Sequence, residues 1–245
     1  MPMFLANSPW FADMSDSITS IIQHLHAVST MREMAEQANI LETIRAVQNW
    51  QCQRLLLSHQ EMYQQKRFKP AVEFFVNELY GPRDFSQRDH DIARVVPKMA
   101  KLLPEKALIS LASALHLNAL SFELDFAIAR KLHGLSINRD SYARAYRDCN
   151  NQAQRQQQIS YIKTLGGDLA DVVRMKGIST LLMLSRKPAK LAGVISLHEF
   201  LEHGFKAFKS LGEVEDFINP VANYEQTLLT QLFDKSAPNP LPQGI

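Results

Sequence analysis

The stretch from Pro104 to His133 restricts the fold more than any other part of the chain. Wound as a helix at about 100° per residue, it carries Leu108, Leu111, Leu115, Ala119, Phe122 and Phe126 on one face. Ile109, Leu117, Leu120, Leu124 and Ile128 lie towards the opposite face. A helix that is apolar on both sides has to be covered on both sides. Its polar residues are confined to two seams, Asn118 with Asp125 and His116 with Glu123.

The rest of the chain repeats apolar residues at spacings of three and four rather than two, and only nine glycines punctuate 245 residues. The predicted class is therefore all-α. We expect a single multi-helix domain over residues 1–235, an orthogonal or irregular bundle of roughly eight to ten helices around the buried 104–133 helix. With 46% hydrophobic residues the chain can bury a full core. Residues 236–245, "SAPNPLPQGI", read as a disordered Pro-rich tail.

Local signals place the boundaries. Asp16 is the predicted N-cap of a first helix reaching Glu36, and a second is expected from Asn39 to Lys66. Pro70 suits the first turn of a short helix containing Phe74, Phe75 and Leu79, which Gly81, in the left-handed conformation, and Pro82 would end. Ser86 and Asp89 fit a capping-box-like start for the next. A helix capped by Asn138 or Asp140 is expected to reach Leu165 and stop at Gly166 and Gly167. Pro188 should open a long helix ending near Gly212, and a last helix should begin around Glu213 and be disturbed by Pro220.

Charge and composition exclude several functions. A formal charge of +2 gives no electrostatic case for nucleic acid, and no helix carries the basic cluster of a DNA reader. No window approaches about 18 uninterrupted apolar residues, so no membrane span is expected. Cys52 and Cys149 fit neither a disulfide framework nor a metal spacing, which suits a cytoplasmic protein. No nucleophile elbow or P-loop occurs. Gly81 alone cannot make a phosphate cradle.

The segments "FFVNELYGPRD", "LNALSFELD", "YARAYRDCNNQAQRQQQI", "PAKLAGVISLHEFLEHGFKAF" and the final "YEQ" occur in this order. Together they resemble a family of uncharacterised bacterial proteins named for an FFLEELY motif, over most of residues 68–233. Val76 and Asn77 stand where that motif has Leu and Glu. The resemblance implies a helical bacterial protein and brings no particular activity.

Four residues are candidate ligand-binding groups. In "HEFLEH", His198 and Glu202 fall on the apolar face made by Leu191, Val194, Ile195, Leu201 and Phe205, where unpaired polar groups are costly. Glu202 is expected to be substantially buried and paired with a basic or hydroxyl group. Asp125 needs a cation or several donors to ionise, and Arg155, on the side of Ile159 and Ile162, is the candidate cation. Each pair reads either as an architectural polar network or as part of a ligand pocket.

No Glu-x-x-His or H-E-x-x-H occurs, so no metal site and no cofactor are assigned, and catalytic residues stay unknown. The favoured reading is a soluble helical scaffold contacting a protein or small ligand without catalysis. The alternative is a metabolite-binding bundle or metal-dependent enzyme with an internal polar pocket. The apolar "MPMFLANSPWF" is expected to dock on its own domain or on a partner, a homodimer included.

Overall fold

The two-faced helix forms over Glu105–Leu132 and lies at the centre of eleven α-helices in the computed structural model, which describes residues 9–99 and 104–245. Side chains are described over 16–97 and 104–245. In chain order the helices are α1 (Pro9–Gln37), α2 (Leu41–Ser58), α3 (Gln60–Gln64), α4 (Lys69–Phe74), α5 (Ser86–Met99), α6 (Glu105–Leu132), α7 (Arg139–Asp148), α8 (Gln152–Arg174), α9 (Ile178–Leu191), α10 (Ile195–Lys209) and α11 (Glu215–Phe233). No strand occurs among the described residues. The docking expected of the apolar segment 1–11 concerns side chains outside them.

α6 packs against α1, α2, α7 and α8 and contributes to all three apolar clusters. Leu108, Leu111 and Leu115 meet Ile21 and Leu25 of α1, Ile92 and Val96 of α5, and Leu197 of α10. Ala114 and Leu117 join Phe74, Leu165, Phe208 and Phe217. Ala119, Phe122 and Ile128 join Ile44, Val47, Tyr142 and Leu229. Full burial of each leucine, isoleucine, valine or phenylalanine among them stabilises the fold by about 1.5–3 kcal/mol. Ile109 is the exception on the second face and stays exposed. By length and hydropathy α6 could cross a membrane, but more than half of its most apolar window is covered by its neighbours.

Several boundaries differ from the sequence expectation. α1 begins at Pro9, where a first-turn proline needs no N–H partner, so Asp16 lies inside it. The helix expected over 39–66 breaks at His59, whose ring turns towards Glu225 and packs edge-on against Tyr224. Asp84, not Ser86, caps α5: its carboxylate accepts from the Ser86 N–H at 2.9 Å and from the Ser86 hydroxyl, while Asp89 pairs with Arg88. Asn138 does cap α7, in a reciprocal box with Ser141. Pro188 sits within α9, and the chain instead turns at Gly193, whose φ is +68°.

Two glycines matter by closeness: the helix does end before Gly81 and Pro82, as expected, whereas Gly166 is not a stop. α4 continues through a π-helical turn, Phe75–Leu79, closed by a Tyr80 N–H bond to the Phe75 carbonyl at 2.9 Å. Gly81 follows without a positive φ. A Cβ there would lie 2.4 Å from the Val76 carbonyl oxygen, so the chain can fold back on the π turn only where no side chain stands. Gly166 and Gly167 fall inside α8, which runs on to Arg174. A Cβ on Gly166 would lie 2.6 Å from Cγ1 of Ile218, the point where α8 and α11 cross.

The Pro-rich end is also seated rather than frayed. Leu241 is buried within the first cluster, and Ile245 packs against it. Arg139 donates to the carbonyls of Asn239 and Leu241, and the Asn239 amide returns a bond to the Arg139 carbonyl at 3.2 Å. A segment without helix propensity is held there because a buried leucine and paired backbone groups offset its ordering cost.

Candidate functional site

Short helical repeats bring polar groups to one interior place. Gln51, Arg54 and Leu55 project from α2 at i, i+3 and i+4, Tyr142 and Tyr146 from α7 at i and i+4, and Arg155, Gln158, Ile159 and Ile162 from one face of α8. The π turn adds Phe75, Val76, Leu79 and Tyr80, and α11 adds Phe217, Val221, Glu225 and Leu228. These residues line a partly open cavity of about 160 Å³. A second cleft of about 130 Å³, beneath α9, is lined by apolar groups and Ser110 alone, so it holds no chemistry of its own.

One end of the cavity is closed by a buried ion pair. Arg54 Nη1 donates to Glu225 Oε1 at 2.5 Å, Arg54 Nε donates to Gln51 at 3.1 Å, and His59 Nε2 lies 3.3 Å from the same Glu225 oxygen. Burial opposes ionisation of Glu225, but the Arg54 charge together with the His59 and Arg54 hydrogen bonds outweighs it and holds the carboxyl at about 2. Burial likewise disfavours the Arg54 cation, and Glu225 more than compensates, so Arg54 stays charged.

Asp125, behind Tyr80 and outside the cavity lining, is almost completely buried. Its Oδ2 accepts from the Tyr80 hydroxyl at 2.9 Å, and Gln48 donates a further hydrogen bond. Burial raises its pKa to about 6, opposed by the charge of Arg155 and by those two donors. Arg155 is therefore near enough to be felt, but it forms no bidentate pair with Asp125, contrary to the sequence expectation. It donates instead to the Leu124 carbonyl at 3.3 Å and to Gln158 at 3.5 Å, and its guanidinium lies 4.6 Å from the Tyr146 ring centre. The Arg155 Nε has no protein partner.

Tyr142 is the matching orphan. Its ring stacks on Trp50 with centroids 4.3 Å apart, and its hydroxyl, fully buried, has no protein partner. Burial raises its pKa, so it stays a neutral donor. Cys52 is no nucleophile: burial, with the Asp125 charge second, pushes its thiol up to about 12, and it donates weakly to the Val76 carbonyl.

The four sequence candidates thus fall into two groups. Arg155 lines the cavity, whereas Asp125 sits behind Tyr80, outside the lining, and reaches Arg155 only through its charge. His198 and Glu202 meet elsewhere, on α10 where it faces α9. His198 is buried, its Nε2 lies 2.7 Å from the Leu182 carbonyl oxygen, and its Nδ1 is 3.7 Å from Glu202. Glu202 lies at the surface edge rather than in the interior, accepting from Lys206 at 2.6 Å and Arg186 at 3.1 Å. Those hydrogen bonds and charges hold its carboxyl below its usual range against a small opposing burial. Among the described residues no three His, Cys, Asp or Glu side chains converge as a metal-ligand set.

Sequence reasoning missed Arg54, Glu225, Gln51 and Tyr142. Arg54 interrupts the apolar stripe of its helix, and Glu225 is the central residue of "YEQ", yet neither position reveals that they face each other.

Fold and site together define an all-helical protein with a partly open, largely apolar cavity lined by several buried polar groups. The chain belongs to a family described as a domain of unknown function (DUF8198), whose family model matches residues 30–240. That span holds every polar residue of the cavity. No curated protein and no solved structure matches the chain.

Proposed function

We propose that this protein binds a small organic anion in the cavity among α2, α7, α8 and α11, and that it does so without a catalytic step. The observation that carries the reading is Arg155, a buried guanidinium whose Nε lacks a protein partner, in a cavity where the Tyr142 hydroxyl lacks one too. A buried cation without a facing carboxylate is costly. A ligand carboxylate accepting from both groups would offset that cost with charge-assisted hydrogen bonds. Glu225 is engaged by Arg54, and Asp125 by Tyr80 and Gln48, so neither carboxylate hydrogen-bonds Arg155, although the Asp125 charge reaches it.

Size and lining narrow the ligand. The cavity holds the equivalent of roughly five waters, and Phe75, Ile159, Ile162, Val221 and Leu228 offer an apolar wall. This favours a short aliphatic or single-ring carboxylate over a nucleotide. The bacterial setting implied by the resemblance to the FFLEELY-motif family, and the cytoplasmic one that the two free cysteines suit, belong to the same proposal.

Native mass spectrometry of protein purified without chelators, followed by thermal unfolding with a panel of short-chain and aromatic carboxylates, tests it. At ligand one hundred times its Kd, stabilisation of about 2.7 kcal/mol is expected. Tyr142→Phe should fold and lose most of that stabilisation. The proposal fails if no carboxylate raises the wild-type Tm and Arg155→Met unfolds at a higher temperature than wild type, because Arg155 would then be a purely architectural cation.

A further inference from the structure

Helix α9 is only lightly embedded. Only Ile178 among its 14 residues is buried, and its principal neighbour is α10. It is fastened by the Leu182 carbonyl at His198 and by the Arg186–Glu202 ion pair. Gly177, with φ +91°, and Gly193, with φ +68°, turn the chain at its two ends.

Its outer side is apolar. Of the nine large hydrophobic residues exposed on the described surface, Leu181, Met183, Leu184 and Leu191 lie on this one helix, and the other five are scattered. Met183, Leu184 and Leu191 are 70%, 65% and 90% exposed, so they project clear of the body rather than line a groove. At about 100° per residue Met183, Leu191 and Leu184 share an arc of roughly 100°, and Leu181 continues it to the edge of the cleft beneath α9, which it also lines.

The charge carried by the segment itself is of one sign, although Glu213 and Glu202 of neighbouring elements meet Arg174 and Arg186. From Val172 to His198 the chain has five Arg and Lys and no Asp or Glu. Lys176, Lys187 and Lys190 are exposed and have no ion-pair partner among the described residues. Lys187 stands within the apolar arc, where a long stem can lie along Leu184 and Leu191 while the ammonium reaches outward.

We infer that α9 is a docking surface for an anionic lipid bilayer. Met183, Leu184 and Leu191 enter the boundary between headgroups and acyl chains, and Lys176, Lys187 and Lys190 meet the headgroup phosphates. A second copy of the same face is a poor occupant because it would oppose lysine to lysine with no acid between them. A membrane surface satisfies both the sign of the charge and the shape.

The test uses the full chain and sedimentation with vesicles of equimolar phosphatidylglycerol and phosphatidylcholine, against phosphatidylcholine alone. Binding to the anionic vesicles should be at least about tenfold stronger and should weaken with added salt. Lys187→Glu/Lys190→Glu and Leu184→Glu/Leu191→Glu should each lower it about tenfold or more. Leu135→Glu, at an exposed leucine outside α9, should not. All these positions are exposed, and an unchanged Tm for each variant shows that the fold is intact. The single variant Leu191→Glu serves if a double variant fails that check. The inference is overturned if wild type does not bind the anionic vesicles. It is also overturned if binding persists in both α9 variants, or if those variants abolish self-association or capture of an acidic protein while vesicle binding is unchanged.

Discussion

Arg54 and Glu225 stand 171 residues apart in the chain and meet through a 2.5 Å ion pair, with side chains only 6% and 13% exposed. The pair ties α2 to α11 across the cavity. Its worth is asymmetric, because removing one partner leaves the other as an uncompensated buried charge. Glu225→Ala should therefore cost about 3–5 kcal/mol in urea unfolding. Arg54→Met combined with Glu225→Leu should recover much of that loss. The pH sign follows from a depressed carboxyl: the contribution of Glu225 is present above its unfolded value of 4.5 and is lost as pH falls towards about 2. Wild type should thus lose about 3 kcal/mol over that window, and Glu225→Gln should not.

Asp125 has the opposite sign. Its folded pKa is raised, mainly by burial, from 3.8 to about 6. A group that holds its proton more tightly when folded contributes stability below the unfolded pKa and loses it as pH rises through the folded one. The unfolding free energy of wild type relative to Asp125→Asn should fall by about 3 kcal/mol between pH 3 and pH 7. Urea midpoints measured at single-unit pH steps check this, and a constant difference would refute it.

Adjacent glycines in α8 should respond oppositely to alanine. Gly166→Ala places a methyl 2.6 Å from Ile218 at the crossing with α11, and overpacking there should cost about 1–3 kcal/mol. Gly167 has no atom within 4 Å of the Cβ position, so Gly167→Ala should stabilise the helix by roughly 0.5–1 kcal/mol. Thermal unfolding of the two variants side by side is sufficient.

The Pro-rich end should matter to stability. Leu241 is 2% exposed, and Leu241→Ala is expected to cost about 2–4 kcal/mol. Deleting residues 239–245 should cost at least as much, because Arg139 also loses the carbonyls of Asn239 and Leu241. A truncated chain with the wild-type Tm would show that this segment is dispensable.

The sequence by itself determined the helical class and the buried helix α6, because both are local properties: a period of three and four residues, and apolar residues on two faces of one segment. It also located Asp125 and Arg155 as polar groups on apolar faces, since the cost of burying a charge is visible from the pattern around it. Stops were less legible. Gly166 looked like a terminator and Gly81 like a left-handed cap, but their place depends on Ile218 and on the Val76 carbonyl, which only packing brings near. The partners were decided by tertiary structure alone. Nothing local sets Arg54 opposite Glu225, gives Asp125 to Tyr80 and Gln48 rather than to Arg155, or leaves the Arg155 Nε and the Tyr142 hydroxyl unpaired. Those outcomes follow from how α2, α7, α8 and α11 cross, and side-chain pairing between segments that are distant in the chain is not encoded in the periodicity of either one.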